Sequence, residues 1–274
     1  MNRAAGTGPL APEFDAAAEV IRRAAVLARQ GQDRLLDISV KSGPADLVSA
    51  VDRELDAFIV ERLLDRFPAD GSLSEEGGRR PGTSGRTWVV DPIDGTHNYV
   101  AGLPYHAISI ALTQGSQTLL GLIYDATDGT IHSAIAVPDA AAPGPASAGT
   151  TAPALDADRG ADARRGQLDV PSALVAVNLP AQAIFSEAGL HPPLDRIGDI
   201  RITGSLCLDL AWTAAGRFDA CAYRHRDNPW DWAAGELIAL SRGRSVTSTQ
   251  WASTEIVLAG RSDVIAALTH SAAR

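Results

Sequence analysis

The chain of 274 residues is 45% hydrophobic and 21% charged, which is ordinary for a soluble globular protein and allows one large domain or two subdomains. Its net charge of −9 disfavours binding of nucleic acid through a basic surface, and no apolar run approaches the roughly 18 residues of a membrane span. Two cysteines are too few for a disulfide framework, and the amino terminus lacks a basic-then-apolar signal pattern, so we expect a cytoplasmic protein.

Two amphipathic helices are predicted near the start of the chain. Apolar side chains recur at helical spacing over residues 13–30, and Gly31 follows as a stop signal. A second apolar stripe follows the turn-rich segment 41–46. On this second helix Asp52 and Asp56 lie four residues apart and off the apolar face, where acidic side chains are most often solvated.

Charged residues cluster around this second helix. Lys41, just before it, is the only lysine of the chain. A short predicted strand at 72–74 delivers Glu75 and Glu76, which fit either a polar turn or a metal site. Together with Asp52, these residues favour a role in or near a functional site.

The sequence Trp-Val-Val-Asp-Pro-Ile-Asp-Gly-Thr, residues 88–96, predicts a buried strand that ends in Asp91, a turn at Pro92 and a helix that begins just after Asp94. Two carboxylates at a strand end suit Mg²⁺, which prefers oxygen ligands, and the glutamate pair could converge on the same ions. The free amides at the helix start suit a phosphate. An ordinary strand and turn before an Asp-capped helix is the alternative.

The chain is predicted to divide within residues 138–166, which are rich in Ala, Pro, Gly and Asp and lack periodicity. Before this loop or linker, an antiparallel meander is predicted from strands at residues 107–112, 119–124 and 130–137. We therefore expect an N-terminal α+β subdomain over residues 1–145, with most of the metal ligands, and a C-terminal α/β subdomain over residues 146–274.

Strands and helices alternate in the second subdomain, which predicts a mixed or parallel sheet. Asp231 follows Trp230 at a predicted helix start, either as a plain cap or as a further metal ligand that faces a cleft between the halves. Cys207 and Cys221 lie in apolar surroundings and are interpreted as core residues. The predicted strands are 173–179, 218–223 and 255–259, and the predicted helices are 181–188, 205–215, 231–241 and 263–268.

Residues 91–99, Asp-Pro-Ile-Asp-Gly-Thr-His-Asn-Tyr, resemble the signature of the inositol monophosphatase family of Mg²⁺-dependent, lithium-sensitive phosphatases. The order and spacing of motifs agree over roughly residues 13–268. The resemblance implies an α/β fold, namely a layered αβαβα sandwich of the inositol monophosphatase and fructose-1,6-bisphosphatase type, and a homodimer. Further matching segments are residues 46–52, 74–76, 204–205 and 230–235.

The resemblance also implies two or three Mg²⁺ ions, with Mn²⁺ as a substitute and Li⁺ as an inhibitor. Glu75, Asp91 and the Ile93 carbonyl match the ligands of one ion. Asp91, Asp94 and Asp231 match those of a second, and Glu75 also lies near a weaker third. Such ions suit phosphate ester hydrolysis, because one lowers the pKa of its bound water and another stabilises the leaving oxygen.

Other family positions match residues that handle water and substrate. Asp52 and Thr96 match the pair that holds the attacking water, and Lys41 matches a basic residue near it. The positions implied in substrate binding are Asp94, Gly95, Thr96, Gly204 and Ser205.

Two departures from the family pattern bear on the substrate. Ser74 replaces a common glycine, and the resulting Ser-Glu-Glu resembles the branch that acts on 3′-phosphoadenosine 5′-phosphate. Arg224 stands where inositol-specific members tend to carry a Glu that contacts sugar hydroxyls. Because Arg only donates hydrogen bonds, it favours a second phosphate or a carboxylate on the substrate, unless it is a charge on the rim.

The sequence therefore predicts a Mg²⁺-dependent phosphomonoesterase that hydrolyses a small, inositol monophosphate-like ester with a metal-activated water. Alternative substrates within the family are 3′-phosphoadenosine 5′-phosphate, histidinol phosphate and fructose 1,6-bisphosphate. The alternative of another class is a catalytically idle module for metal binding and dimerisation. The presence of every acid that the motif calls for favours the enzyme. Neither nucleic acid nor a membrane is expected as a partner.

Overall fold

The computed structural model describes residues 9–36, 44–136, 169–179, 196–225, 228–251 and 254–269. The predicted linker at 138–166 and the predicted helix at 181–188 lie outside these ranges, as does the boundary between residues 145 and 146. The division into two subdomains therefore stays a prediction. Within the described ranges, no helix combines the length and the apolar character needed to cross a membrane.

The first layer is a pair of long helices, α1 (Ala11–Leu36) and α2 (Pro44–Arg66). Both were predicted from their apolar spacing, but the predicted stop at Gly31 is wrong, because α1 continues past it. A side chain at Gly31 would lie 2.7 Å from the hydroxyl of Tyr99 and 2.7 Å from Val51. This glycine therefore allows close packing between elements and does not end the helix.

The second layer is a six-stranded sheet made of β1 (Gly71–Ser74), β2 (Gly78–Arg80), β3 (Arg86–Asp94), β4 (Ala107–Gln114), β5 (Gln117–Asp125) and β6 (Ile131–Ile135). The strand order is β2-β1-β3-β4-β5-β6. Strand β1 runs parallel to β3, and β4 to β6 form the predicted antiparallel meander, which β3 extends by pairing antiparallel to β4. The sequence did not predict β2, because all its residues are exposed at the sheet edge and show no apolar periodicity.

Strand β3 extends beyond the turn predicted at Pro92, so that prediction is wrong. Asp91 pairs with Ser109 and Asp94 pairs with Ala107, with a register shift between the two pairs. A bulge of this kind tolerates a proline, since the residues within it need no ladder hydrogen bond. The chain therefore bends between the two aspartates while remaining part of the strand.

Alternate residues of the first sheet face different layers. Trp88 and Val90 pack against α1 and α2, whereas Val89 faces the opposite side. On that opposite side, Gly121 approaches the backbone of Ala234 so closely that an added Cβ would lie 2.9 Å from it. Large side chains thus fill the outer core, and small ones allow the next layer of helices to approach the sheet.

The third layer consists of α4 (Leu206–Ala214) and α5 (Ala233–Ser241), which separate the first sheet from a second one. The second sheet contains β7 (Leu174–Asn178), β8 (Asp199–Arg201), β9 (Ala220–Tyr223), β10 (Ser245–Trp251) and β11 (Thr254–Gly260). Its order is β10-β11-β9-β7-β8, with β7 parallel to β8 and β9, and with β11 antiparallel to its neighbours. This is the predicted mixed sheet, and α6 (Ser262–Thr269) covers its outer face.

The layers follow one another as αβαβα, which confirms the predicted sandwich. The helix predicted to begin at Asp231 instead begins at Ala233, after a separate 3₁₀ turn at Pro229–Asp231. A partly buried contact joins the first sheet to the central layer, because Trp212 Nε1 donates a hydrogen bond of 2.6 Å to Asp125 Oδ2.

Candidate metal centre

The first two carboxyl groups of the site come from neighbouring parallel strands. Ser74 at the end of β1 pairs in register with Val90 of β3, and the amide of Glu75 donates to the Val90 carbonyl over 3.2 Å. Glu75 thus leaves the sheet beside Asp91, and the two carboxyl groups hydrogen-bond to each other. The carboxyl ends of parallel strands meet at one edge of a sheet, where ligands of α/β proteins commonly bind.

Asp94 is held by the start of α4. Its Oδ2 atom accepts hydrogen bonds from Ser205 Oγ over 2.7 Å and from the amide of Cys207 over 2.6 Å. Ser205 also caps α4, since its Oγ accepts a hydrogen bond from the Leu208 amide over 3.2 Å. Asp94 therefore lies at a helix N-terminus, where unpaired amides and the helix dipole favour a negative charge.

Asp231 brings a carboxyl group from the second half of the chain. It ends the 3₁₀ turn before α5, and its charge acts on Asp91 and on the thiol of Cys207. Burial, followed by the charges of Asp94, Asp91 and Asp231, raises the pKa of the Cys207 thiol well above its ordinary value. Cys207 is therefore a buried thiol and not a nucleophile.

Burial and repulsion keep the carboxyl groups of Glu75, Asp91 and Asp94 from ionising readily. The pKa of Asp91 is raised well above its ordinary value by burial first, and then by the charges of Asp94, Glu75 and Asp231. Burial is also the largest cause of the raised pKa of Glu75 and of Asp94, although the hydrogen bonds from α4 lower the pKa of Asp94. A cation placed among these groups would favour their charged forms.

The donor set suits a hard divalent cation in charge and in chemistry. In the described part of the chain, no three His, Cys, Asp or Glu side chains already surround a single metal position. The four carboxyl groups nevertheless lie close enough for three of them to raise the pKa of Asp91. All offer oxygen, which Mg²⁺ prefers, and Mg²⁺ keeps several waters and so needs few protein ligands.

Both acids singled out on α2 are buried, unlike most acids off an apolar helix face. Asp52 is 5% exposed and Asp56 is 4% exposed, and each has an Oδ1 atom with no hydrogen-bond partner among the described residues. Burial, followed by the charges of Glu76 and Glu75, raises the pKa of Asp52 to about 7. A carboxyl group that titrates near neutral pH can take up and release a proton.

The turn after β3 contains Gly95 and Thr96, which are predicted to contact the attacking water and the phosphate. Gly95 adopts a left-handed backbone conformation, with φ at 91°, and α3 (Thr96–Val100) follows it. A side chain at Gly95 would lie 2.8 Å from the Tyr105 carbonyl oxygen, so the position requires glycine. Thr96 Oγ1 donates to the Ile93 carbonyl over 3.1 Å, which leaves the lone pairs of the hydroxyl available as acceptors.

The other residues predicted to act in the site are Lys41, Arg224, Gly204 and Ser205. Lys41 lies outside the described ranges, and Arg224 is exposed just after β9. Gly204 is exposed, with the side chain of Asn98 next to it. Ser205 is fully buried, and its hydroxyl bonds to Asp94 and to the start of α4. Its contact with substrate stays a prediction.

Two residues with a part in the site were not predicted. Cys207 contributes its backbone amide to Asp94, and a backbone contact leaves no signal in the identity of a side chain. Asn98 donates to the carbonyls of Tyr105 over 2.7 Å and Thr203 over 2.9 Å, and so connects the two halves beside the site. Its place within the motif at 91–99 was a signal that could have identified it.

We expect the metal-free protein to become less stable as the pH rises from about 4 to about 8. The folded protein holds the proton of Asp52 up to a pKa of about 7, whereas the ordinary value is 3.8. Protonation of Asp52 therefore stabilises the folded protein fully at pH values below 3.8, and this contribution is lost as the pH rises through about 7. Thermal unfolding in EDTA should show the decrease, and Asp52→Asn should remove roughly 5 °C of it.

Glu61→Gln is the matched control for this experiment, because Glu61 is an exposed carboxylate on the same helix. It should keep the wild-type dependence of melting temperature on pH. An Asp52→Asn variant with that same dependence would show that Asp52 is ionised normally.

Comparison with known proteins places the chain in a family. A profile of the inositol monophosphatase family matches residues 10–273. The inositol-1-monophosphatase of Bacillus subtilis is 30% identical over 84% of this chain and 83% of its own length, and the Nus factor SuhB of Vibrio cholerae is 32% identical over 76% and 74%. The solved structure of Mycobacterium tuberculosis SuhB is 27% identical, covers 96% of this chain and 97% of its own, and gives a TM-score of 0.69. The chain therefore belongs to the inositol monophosphatase family and is a phosphoric monoester hydrolase of that family.

Proposed function

We propose that the protein is a Mg²⁺-dependent phosphomonoesterase that hydrolyses a small, inositol monophosphate-like ester. The observation that carries the proposal is one cluster of mutually repelling carboxyl groups, drawn from both halves of the chain. The name of the Bacillus subtilis relative supports the substrate class. A homodimer stays a prediction. The carboxyl groups of the cluster are those of Glu75, Asp91, Asp94 and Asp231.

Glu75, Asp91 and the Ile93 carbonyl would hold one ion, and Asp91, Asp94 and Asp231 would hold a second. When bound, Mg²⁺ supplies positive charge to the phosphoryl and leaving oxygens and lowers the pKa of water. The same charge explains how an acidic protein can bind an anionic substrate. The hydrogen bonds from Ser205 and Cys207 occupy one oxygen of Asp94 and leave the other for an ion.

Asp52 and Thr96 are proposed to orient the attacking water, because both present hydrogen-bond acceptors. Asp52 Oδ1 is buried without a hydrogen-bond partner in the described ranges, and Thr96 Oγ1 already donates its hydrogen to the Ile93 carbonyl. A water that donates to both acceptors directs a lone pair away from them, toward the phosphorus. Asp52 can then accept the proton of that water as general base. The amides of Gly95 and Thr96 are proposed to donate to the phosphate oxygens.

Release of inorganic phosphate by the purified protein tests this function. We expect turnover of inositol 1-phosphate with Mg²⁺, weaker turnover with Mn²⁺, inhibition by Li⁺, and a loss of activity in EDTA that added Mg²⁺ reverses. The same assay with 3′-phosphoadenosine 5′-phosphate, histidinol phosphate and fructose 1,6-bisphosphate ranks the substrates. Turnover that EDTA does not change would contradict the proposed metal dependence.

An ester with a second anionic group is the next candidate substrate. Arg224 is exposed after β9, and His225 Nε2 beside it pairs with Glu236 Oε1 at 2.5 Å. That hydrogen bond is the main cause of the raised pKa of His225, which therefore stays protonated to a higher pH. The guanidinium of Arg224 favours a substrate phosphate or carboxylate, whereas the charge of His225 is balanced by Glu236.

If Arg224 contacts the substrate, Arg224→Gln should raise the KM for fructose 1,6-bisphosphate about tenfold, since a lost charge-assisted hydrogen bond costs at least about 1.4 kcal/mol. The KM for inositol 1-phosphate should stay within about twofold. Arg201→Gln, which alters another exposed arginine, is the control. Equal changes for the two esters would show that Arg224 does not select for a second anion.

A catalytically idle role is the candidate of another class, favoured by the name of the Vibrio cholerae relative, a Nus factor. Mg²⁺ binding in calorimetry without turnover of any ester in the panel would support it. The acids that the family motif calls for are all present in the sequence, which favours catalysis.

A further inference from the structure

Glu75 lies in a turn whose hydrogen-bond donors contact the carboxylate of Asp56, a residue of α2. The turn spans Ser74 to Gly77, and the amide of Gly77 donates to Ser74 Oγ over 3.2 Å. The carboxylate of Asp56 accepts hydrogen bonds from the hydroxyl of Ser74 and from the amides of Glu76 and Gly77. One side chain of α2 therefore holds three donors of the segment that presents Glu75.

The contact between Asp56 and the turn is closed to solvent and tightly packed. Asp56 is 4% exposed and Ser74 is 1% exposed. A side chain at Gly77 would collide with Asp56 Oδ2 and would lie 2.9 Å from Ser74 Oγ. Gly77 is not among the glycines with a positive φ, so the carboxylate, and not the backbone conformation, requires a glycine at this position.

We propose that Asp56 is a positioning residue for the metal centre, which holds Glu75 against Asp91 through the turn that follows β1. The amide of Glu75 fixes its upstream side by donating to Val90 over 3.2 Å, and Asp56 fixes the two amides downstream. With both sides fixed, Glu75 has little backbone freedom to lose when it binds an ion. The inference rests on the proposed function, because it takes Glu75 as a Mg²⁺ ligand.

A purely structural role and a purely electrostatic role for Asp56 lead to different results. A structural role would lower stability when the three donors lose their acceptor, without a specific effect on Mg²⁺. An electrostatic role would weaken Mg²⁺ binding only when the charge of Asp56 is removed, since that charge acts on Glu75 and Asp52. Gly77→Ala separates these cases, because it displaces Asp56 and keeps every charge.

The Mg²⁺ dissociation constant of the full chain, measured by isothermal titration calorimetry, is the decisive quantity. Gly77→Ala should raise it by roughly 10- to 100-fold, the usual range for residues that orient a ligand. In steady-state assays its kcat should recover at saturating Mg²⁺, while the KM for the ester stays unchanged. The control is Gly78→Asn at the next position, where φ is 66° and no atom lies within 4 Å of an added Cβ. Asn tolerates this backbone conformation, so the variant should bind Mg²⁺ like the wild type.

A folded Gly77→Ala protein that binds Mg²⁺ within twofold of the wild type would overturn the inference. If this variant does not fold, Ser74→Ala decides by the same criterion, because it removes one donor to Asp56 and keeps every charge. Ser72→Ala, which removes a buried hydroxyl without a partner in the described ranges from the same strand, is its control. A wild-type protein that binds no Mg²⁺ would instead overturn the proposed function, and the positioning role with it.

Discussion

Replacement of Asp94 by asparagine is expected to slow phosphate release about a thousandfold, or about 4 kcal/mol in activation free energy. In the native protein Asp94 Oδ2 accepts from Ser205 Oγ at 2.7 Å and from the Cys207 amide at 2.6 Å. Asparagine can keep both bonds by turning its carbonyl oxygen toward α4. Its amide NH₂ group then occupies the place of the other carboxylate oxygen, and this group offers no free lone pair to Mg²⁺.

Steady-state assays over a range of Mg²⁺ concentrations, with the melting temperature of each variant, check this prediction. Asp199→Asn is the control, because Asp199 is an exposed partner of Arg201 and should affect the rate less than twofold. Ser205→Ala should cost roughly tenfold, since Asp94 then loses one of its two donors. Activity of Asp94→Asn near that of the wild type would refute the metal role of Asp94.

Replacement of Gly95 by alanine is expected to lower the rate about a hundredfold and the free energy of unfolding by about 2–4 kcal/mol. The left-handed conformation at a φ of 91° disfavours a residue with a Cβ by about 1–2 kcal/mol. The new Cβ would also lie 2.8 Å from the Tyr105 carbonyl oxygen, so the turn between Asp94 and Thr96 must move. A displacement of about 1 Å in such a segment costs roughly a hundredfold in rate.

Gly115→Ala separates the conformational cost from the contact. Gly115 also has a positive φ, of 59°, but an added Cβ there has no atom within 4 Å. It should lower the melting temperature slightly and leave the rate of phosphate release unchanged. If Gly95→Ala loses no more activity than Gly115→Ala, the packing of the turn against Tyr105 does not matter for catalysis.

The acids of the site were predictable where the signal is local. Asp91 and Asp94 stand in one short motif, and Glu75 follows a predicted strand, so two short segments contain three of the acids, which the parallel pairing of β1 and β3 brings to one sheet edge. The contact between Asp94 and the Cys207 amide spans 113 residues of sequence and uses the backbone, and no local pattern contains it. The burial of Asp56 likewise depends on the packing of α2 against the turn after β1.

Wrong predictions in the fold share a physical cause, namely that a local rule was overridden by tertiary context. Proline disfavours a strand ladder, but Pro92 lies in the bulge of β3, where no ladder hydrogen bond is needed. Glycine often ends a helix, but Gly31 makes room for Tyr99 and Val51. The strands β8 and β10 escaped prediction because most of their residues are only partly buried or exposed, and the sequence therefore lacks the apolar alternation that marks a strand.

Anomalous diffraction from crystals of the protein grown with Mn²⁺ would locate the bound ions, since Mn²⁺ takes the same oxygen ligands and scatters anomalously. We expect at least two peaks, roughly 3.5–4 Å apart, among the carboxyl groups of Glu75, Asp91, Asp94 and Asp231. Peaks at other residues only, or ordered waters in place of ions at millimolar Mn²⁺, would contradict this expectation.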